Sequence, residues 1–210
     1  MGQRIVISLL MLVIFSLVGL PGTNLAQAKM IDLYSFDFGS NSSPVQTGWL
    51  QVTNDTLYSS QLGYGWDGNL TANNLNVNPP EYPNMLRDFN KSNKDQTFEI
   101  DLVAGTYSIE LYFYGNNNTT GNWTVYLGNS STVLASLTGL PRKTEVTRQF
   151  DITMASDGKL DLRFQADKGS WQINGIKVAQ EAPVPPTLLL LGTGLLGLTL
   201  LGRRRKVKES

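Results

Sequence analysis

The chain has 210 residues, of which 41% are hydrophobic and 16% are charged, and it contains neither cysteine nor histidine. This length predicts one domain, or one domain with a small second unit. Without cysteine there are no disulfides and no thiolate chemistry, and without histidine the most common general base and metal ligand is missing. The composition therefore excludes Ser-His-Asp and Cys-His hydrolases and histidine-based zinc hydrolases, and leaves carboxylate chemistry or no catalysis.

The first segment has the pattern of a secretory signal peptide. Arg4 precedes an apolar run over residues 5–20, and Ala26 and Ala28 supply the small side chains of a cleavage site. We expect cleavage after Ala28, so that residues 1–28 are a removed signal peptide. The alternative is an uncleaved membrane anchor.

Residues 29–180 are expected to form the exported domain. Residues 29–202 contain 11 Lys and Arg against 16 Asp and Glu, a net charge of −5, although the whole chain has 17 of each kind. An acidic domain is a poor candidate for nucleic-acid binding, because phosphates require a basic surface. We therefore expect no nucleic-acid partner.

Residues 40–97 are rich in Asn, Gly, Ser, Tyr and Pro and contain few aliphatic residues. Long irregular segments are uncommon in compact domains and are usually functional where they occur. The sequence predicts long loops over one end of the fold rather than a linker. The loops carry aromatic residues that need something to pack against, namely Trp49, Tyr58, Tyr64, Trp66 and Tyr82.

Alternation of apolar and polar side chains predicts β-strands in the second half of the domain. Turns are predicted at Ala104-Gly105 and Asp157-Gly158, and a change of phase at Asn174-Gly175 predicts a bulge. Trp123 and Trp171 are in phase with the core residues. Because the region lacks a helical period, the pattern predicts an all-β sandwich or barrel. The predicted strands are Phe98–Leu102, Thr106–Tyr114, Trp123–Leu127, Phe150–Ile152, Leu160–Phe164 and Trp171–Val178.

Several short motifs occur together in a characteristic order, namely Phe36–Gly39, Gly48–Val52, Leu57-Tyr58, Gly63–Trp66, Leu86–Phe89 and Phe98–Leu111. Their order resembles the malectin-type galactose-binding-like modules, especially those beside esterases and lyases that act on rhamnogalacturonan. The resemblance spans most of residues 33–178, and it implies an antiparallel jelly-roll β-sandwich that binds carbohydrate through loops at one end. No esterase or lyase domain accompanies the module here. Because the sequence places no two carboxylates together in a strained or apolar environment, we expect no enzymatic activity.

Sugars are bound by aromatic ring faces together with amide, carboxylate and guanidinium groups. Some of the candidates have a structural alternative to sugar binding. The Gly63–Trp66 motif would then be a lid on the sandwich, and Arg87 would form an internal ion pair with the neighbouring Asp88. Tyr112 and Tyr114 fall on the strand face opposite the core. The candidate carbohydrate-binding residues are Tyr64, Trp66, Arg87, Tyr112, Tyr114, Asn116 and Asn117.

Related jelly rolls often hold a structural calcium ion, so the resemblance leaves a calcium site open without assigning one. Calcium is bound by six to eight oxygen ligands. The candidate ligands are Asp37, Asp151 and Asp161, whose alternative role is as ordinary outward-facing strand residues. No other cofactor is expected.

The C-terminus contains a second apolar run. A proline-rich linker, residues 181–187, precedes an apolar segment over residues 188–202, and a basic tail, residues 203–210, follows. Cations after such a span would remain on the cytoplasmic side. The linker contains Pro183, Val184, Pro185, Pro186 and Thr187, and the tail begins with Arg203, Arg204, Arg205 and Lys206.

This C-terminal arrangement resembles a PEP-CTERM sorting signal, although Val184 stands where that family usually has Glu. The resemblance implies processing by an exosortase in a Gram-negative bacterium with an exopolysaccharide system. The alternative is a permanent membrane anchor.

Together the patterns predict an exported, non-catalytic carbohydrate-binding protein of the cell surface or extracellular matrix. It would be anchored in the membrane during processing, and its ligand would be a polysaccharide or a cell-surface glycan. The alternative is a structural envelope or biofilm-matrix protein without a specific glycan ligand. A concave patch of loop aromatics would favour binding, whereas scattered or core-packed rings would favour the structural role.

Overall fold

The computed structural model describes residues 29–74, 84–115 and 119–182, which form β-strands and one short 3-10 helix, Asn84–Leu86. The predicted signal peptide, the residues Tyr82, Asn116 and Asn117, and the sorting motif with its span and tail lie outside these residues. The strands are β1 (Met30–Gly39), β2 (Leu50–Thr53), β3 (Tyr64–Trp66), β4 (Thr71–Asn74), β5 (Asp88–Ser92), β6 (Gln96–Leu102), β7 (Gly105–Gly115), β8 (Thr119–Leu127), β9 (Val133–Leu140), β10 (Thr144–Met154), β11 (Gly158–Lys168), β12 (Trp171–Ile173) and β13 (Gly175–Glu181).

Two five-stranded sheets form a sandwich. The front sheet has the order β10-β7-β13-β1-β2, and the back sheet has the order β3-β6-β11-β8-β9. All neighbouring strands in these sheets are antiparallel except β1 and β2, which are parallel. A third, small sheet has the order β12-β5-β4. The prediction of an all-β sandwich is therefore confirmed.

The core lies between the two five-stranded sheets. The alternating residues of β7 that the sequence assigned to one face, Tyr107, Ile109, Leu111 and Phe113, are fully buried. Successive side chains of a strand point to opposite faces, so their neighbours on β7 face outward. Trp123 and Trp171 are also fully buried, as predicted.

The structure contains strands that the sequence did not predict. Short strands β2 to β5 and most of β1 occur in the first half of the domain, and β9 is a full strand at the edge of the back sheet. The interpretation of residues 40–97 as loops is therefore wrong in part. The strands β2 to β5 have only three to five residues each. This is too few for an alternation of apolar and polar residues to be recognised in the sequence. Residues 40–49 and 54–63 do form loops, with one isolated bridge at Leu57.

The bulge predicted at Asn174-Gly175 corresponds to a change of sheet. β12 ends at Ile173 in the small sheet, and β13 begins at Gly175 in the front sheet. Asn174 between them is fully buried. Its side chain accepts a hydrogen bond from the Tyr114 backbone amide at 2.8 Å and donates one to the Asp88 carbonyl at 2.7 Å. Asn174 thereby joins β7, the start of β13 and the first residue of β5.

Within residues 29–74, 84–115 and 119–182, no helix is long and apolar enough to cross a membrane.

Candidate functional site

Two of the residues proposed to bind sugar are in the core instead. Trp66 is fully buried and stacks on Trp171, with ring centroids 5.4 Å apart and an interplanar angle of 28°. Tyr114 is 2% exposed. Tyr114 does lie on the outer face of β7, but the short helix Asn84–Leu86 covers it. Neither ring can stack on a sugar in this structure, which corrects the two predictions.

The Gly63–Trp66 motif is explained by packing of the chain. Gly63 has a φ of +76° and Gly65 has a φ of +146°, and both values favour glycine. The Tyr64 ring is half-buried and lies 4.8 Å from the ring of Phe36, measured between centroids. These observations support the structural alternative for the motif rather than the display of its rings.

Arg87 is half-buried and directly follows the short helix, with its backbone amide donating to the Asn84 carbonyl at 3.0 Å. Its contact with a sugar stays a prediction. Asn116 and Asn117 lie outside the described residues, so their predicted role also stays a prediction.

Tyr112 does reach a partly exposed surface, where it pairs with Trp49. The ring centroids are 5.8 Å apart and the rings meet edge to face, at an interplanar angle of 68°. Both residues are half-buried and pack against the buried cluster of Met85, Leu86 and Tyr114. Sequence reasoning identified Tyr112 from its outward phase on β7, but Trp49 only as an aromatic residue in need of a packing partner.

Beyond this pair, the outer face of the front sheet carries side chains aligned in rows across the strands. The register places Glu110 of β7 opposite Gln149 of β10 on one side and Lys177 of β13 on the other. Lys177 is in turn opposite Ser35 of β1. The three rows are, from β10 to β1, Asp151-Ser108-Ala179-Asp32, Gln149-Glu110-Lys177-Ser35 and Thr147-Tyr112-Gly175-Asp37.

Two shallow cavities lie on this face of the sheet, and residues of these rows line both. One has a volume of about 170 Å³ and is lined by residues of all four strands, and the other has a volume of about 370 Å³ and lies between β1 and the segment around Gly48 and Leu50. Asp32 lines both cavities. We call this depression the transverse groove, and its polar residues are Asp32, Ser35, Ser108, Glu110, Gln149 and Lys177.

The groove's side chains are linked by polar contacts. Lys177 Nζ lies 2.9 Å from Asp32 Oδ2, and Gln149 Nε2 donates to Ser108 Oγ at 2.8 Å. The Tyr112 hydroxyl donates to Glu110 Oε2. Burial raises the pKa of Tyr112 above its ordinary value, and the hydrogen bond and the negative charge of Glu110 raise it further. The Tyr112 phenol therefore stays protonated and acts as a hydrogen-bond donor at neutral pH.

The loop that carries Trp49 is tied to β1 and to the short helix. The Gln46 backbone amide donates to Asp37 Oδ2 at 2.6 Å, and Gln46 Oε1 accepts a hydrogen bond from the Asn84 backbone amide at 2.9 Å. Asp37 is only 3% exposed. Burial raises its pKa to about 6, with a further increase from the charge of Asp88, although the Gln46 hydrogen bond opposes the rise.

The substitution Asp37→Asn is expected to change how stability depends on pH. The pKa of Asp37 is raised on folding, so its protonated form stabilises the native state below about pH 4, and this contribution is lost as pH rises through about 6. Asn has no charge but can still accept the Gln46 hydrogen bond. Relative to the wild type, the variant should gain up to about 3 kcal/mol of unfolding free energy between pH 4 and pH 7.5. Urea unfolding at the two pH values measures this, and an equal difference at both would contradict it.

The outer face of the back sheet offers a second pair of half-buried tyrosines, but both rings are already covered. Lys159 Nζ lies 4.7 Å from the centroid of Tyr58, and Arg163 Cζ lies 4.5 Å from the centroid of Tyr126. Lys159 also pairs with Glu99 at 2.6 Å. A sugar would have to displace these cations, so this face is a weaker candidate than the transverse groove.

The three predicted calcium ligands are not brought together. Asp37 and Asp151 are on β1 and β10, which are three strand spacings or about 14 Å apart across the front sheet, and the two residues also lie two rows apart along the strands. Asp161 is on β11 of the back sheet. The described residues contain no group of three or more acidic side chains arranged to hold a metal ion. The three candidates therefore do not form one calcium site, because strand position and sheet order separate them, which agrees with their alternative role as ordinary strand residues.

The comparisons with known proteins agree with this fold. Residues 34–172 match the sequence model of a family described as β-agarase/YXIM esterase-like, galactose-binding domain-like. No curated protein matches the sequence. The galactose-binding-like part of the sequence-based resemblance is thereby confirmed.

Solved structures with a similar fold include a Bacteroides uniformis β-glucuronidase, at 18% identity and a TM-score of 0.55, with 73% of this chain and 18% of that chain covered. The plant receptor-like kinase FER is similar at 14% identity and a TM-score of 0.52, with 73% of this chain and 50% of that chain covered. The chain thus spans half or less of the length of each. At these identities the similarity shows a shared fold alone.

Proposed function

We propose that this chain, which belongs to the β-agarase/YXIM esterase-like family of galactose-binding-like domains, is an exported carbohydrate-binding protein without catalytic activity. The proposed binding surface is the transverse groove. The observation that supports this choice is the row Gln149-Glu110-Lys177-Ser35, which lies in register across four strands and beside the Trp49–Tyr112 pair. The jelly-roll class implied by the resemblance is part of the same proposal.

The groove's chemistry suits a glycan chain. Sugar hydroxyls both donate and accept hydrogen bonds, and the groove offers carboxylates, an ammonium group, an amide and hydroxyls. The half-buried Trp49 and Tyr112 provide apolar surface for the C–H faces of a sugar. At about 4.8 Å between strands, the groove extends about 14 Å from β10 to β1, which is the scale of an oligosaccharide rather than of a monosaccharide.

Affinity electrophoresis of the full-length chain through gels that contain polysaccharides tests this proposal. The substitution Trp49→Ala should lower the affinity for a retained polysaccharide about tenfold, which corresponds to about 1.4 kcal/mol, because it removes apolar surface beside the groove. The matched control is Tyr126→Ala on the back sheet, which should bind as the wild type does. Circular dichroism establishes that each variant is folded. Wild-type protein that is folded but retained by no member of a broad polysaccharide panel would refute the proposed function.

The alternative is a structural protein with no glycan ligand. The core positions of Trp66 and Tyr114 agree with that role, since those rings stabilise the sandwich. The half-buried Trp49–Tyr112 pair beside the polar groove offers aromatic surface that a purely structural role would not need, and this pair is why we favour carbohydrate binding.

Export and sorting are proposed from the sequence alone. In this proposal the signal peptide ends at Ala28, and an exosortase-type enzyme processes the tail after the motif Pro183–Thr187, leaving the domain at the cell surface or in the matrix. Intact-mass measurement of protein from the native host tests both steps. A mature form that begins near Lys29 and lacks Arg203–Lys206 would support them, whereas retention of the basic tail would indicate a permanent anchor.

A further inference from the structure

We propose that the transverse groove selects uncharged or positively charged glycan chains, such as neutral or amino-sugar polysaccharides, and disfavours chains that carry carboxylates or sulfates. This inference rests on the proposed function and names the ligand class of the same site.

Carboxylates outnumber cations in and around the groove. Among the described side chains of the three rows, the carboxylates are Asp32, Asp37, Glu110 and Asp151, and the single cation is Lys177. Glu145 adds a further carboxylate one row beyond Tyr112, opposite Tyr114.

The other nearby cations lie outside the rows. Lys29 precedes β1, Arg87 follows the short helix Asn84–Leu86, and Arg142 and Lys143 are in the turn before β10. Arg148 is on β10, but it is opposite the inward-facing Leu111 and so belongs to the other face of the strand. The outer face of the front sheet is therefore acidic.

The one cation of the three rows, Lys177, already forms an ion pair. Lys177 is directly opposite Glu110 in the sheet register, yet its ammonium group pairs with Asp32 at 2.9 Å. The Asp32 charge is thus balanced, whereas Glu110 receives the hydrogen bond of the neutral Tyr112 hydroxyl and no cation among the residues that the structure describes. Burial is the largest cause of the raised pKa of Tyr112, and the charges of Glu110, Glu145 and Asp32 raise it further. The negative potential of these carboxylates therefore extends to Tyr112, beside the groove.

The negative potential of the groove acts differently on uncharged, cationic and anionic ligands. A sugar hydroxyl can donate a charge-assisted hydrogen bond to Glu110, and an amino group on a sugar would add attraction between opposite charges. A carboxylate or sulfate in the same position would face like charge at short range, since Lys177, the cation among the described side chains of the rows, already pairs with Asp32. Because the groove is open to solvent, this discrimination should be strongest at low ionic strength.

The test compares glycans that share a backbone and differ in charge. Hydroxyethyl cellulose is paired with carboxymethyl cellulose, methyl-esterified polygalacturonan with polygalacturonate, and chitosan is added as a cationic chain. The full-length wild-type chain should bind the uncharged member of a pair about tenfold more tightly than the anionic member at about 20 mM salt, and the ratio should shrink at about 500 mM salt. Anionic chains that bind as well as or better than their uncharged partners would overturn the inference while leaving the proposed function intact. Absence of binding to every glycan would refute both.

Two variants locate the effect in the groove. Glu110→Gln keeps an acceptor for the Tyr112 hydroxyl but removes the charge, so the ratio of neutral to anionic affinity should fall about fivefold. Lys177→Gln removes the cation that balances Asp32, so the ratio should rise. The control Glu99→Gln removes a charge from the back sheet and should leave the ratio unchanged. A ratio that is the same in Glu110→Gln as in the wild type would contradict the proposed role of this groove in charge selection.

Discussion

The substitution Gly65→Ala is expected to destabilise the protein by about 3–5 kcal/mol, because the new Cβ atom would have no room. Gly65 has a φ of +146°, and a Cβ atom built on it would lie 2.5 Å from the Leu57 carbonyl carbon and 2.7 Å from Tyr58 Cα. These are backbone atoms of the neighbouring segment, which is held by a hydrogen bond from the Tyr58 amide to the Trp66 carbonyl at 2.9 Å. Relief of the clash would therefore require separation of the two segments and movement of Trp66 in the core.

Gly158→Ala provides a matched control for Gly65→Ala. Gly158 has no positive φ, and a Cβ atom built on it would meet nothing within 4 Å. The effect of this substitution on the free energy of unfolding should be within about 1 kcal/mol. Urea denaturation of both variants makes the comparison. Equal midpoints for Gly65→Ala and Gly158→Ala would contradict the packing that we describe around the Gly63–Trp66 motif.

The substitution Asn174→Ala is expected to destabilise the protein by about 2–5 kcal/mol, because it removes both polar partners from buried backbone groups. The Tyr114 amide and the Asp88 carbonyl would each lose a hydrogen bond of 2.8 Å or less to the Asn174 side chain, which is fully buried. The helix Asn84–Leu86, which packs near Trp49, would lose the 3.5 Å hydrogen bond from Asn174 Nδ2 to the Leu86 carbonyl as well. Glycan binding should therefore weaken together with stability.

Asn129→Ala is the control for the loss of an asparagine side chain. Asn129 is exposed in the turn after β8, and its replacement should change the free energy of unfolding by about 0.5 kcal/mol or less. If Asn174→Ala were as stable as this control, Asn174 would not join the front and small sheets in the way that the structure indicates.

The long strands were predictable because their own sequences carry the alternation. On β7, Ile109 and Leu111 face the core while Glu110 and Tyr112 face outward, and this pattern needs no knowledge of the partner strands. β9 was missed because its first residue, Val133, is exposed at the sheet edge and its buried positions include the small Ala135. The pattern of such a strand reflects its neighbours more than its own composition.

The candidate site was predictable only in part for a related reason. Tyr112 could be identified from its phase on one strand. Asp32 and Lys177 come from opposite ends of the domain, and only the antiparallel pairing of β1 with β13 brings them together. Trp66 was misassigned because glycines on both sides suggested display, whereas Gly65 in fact allows close backbone packing that buries the ring.

The most direct test of the central claim is an NMR titration of the isotopically labelled protein with a neutral oligosaccharide that the full-length chain retains. The account predicts that the perturbed signals are those of the Trp49 indole and of the backbone amides on β1, β7 and β13 that border the transverse groove. Perturbations confined to the back sheet, around Tyr58 and Tyr126, would contradict the assignment of the site to this groove.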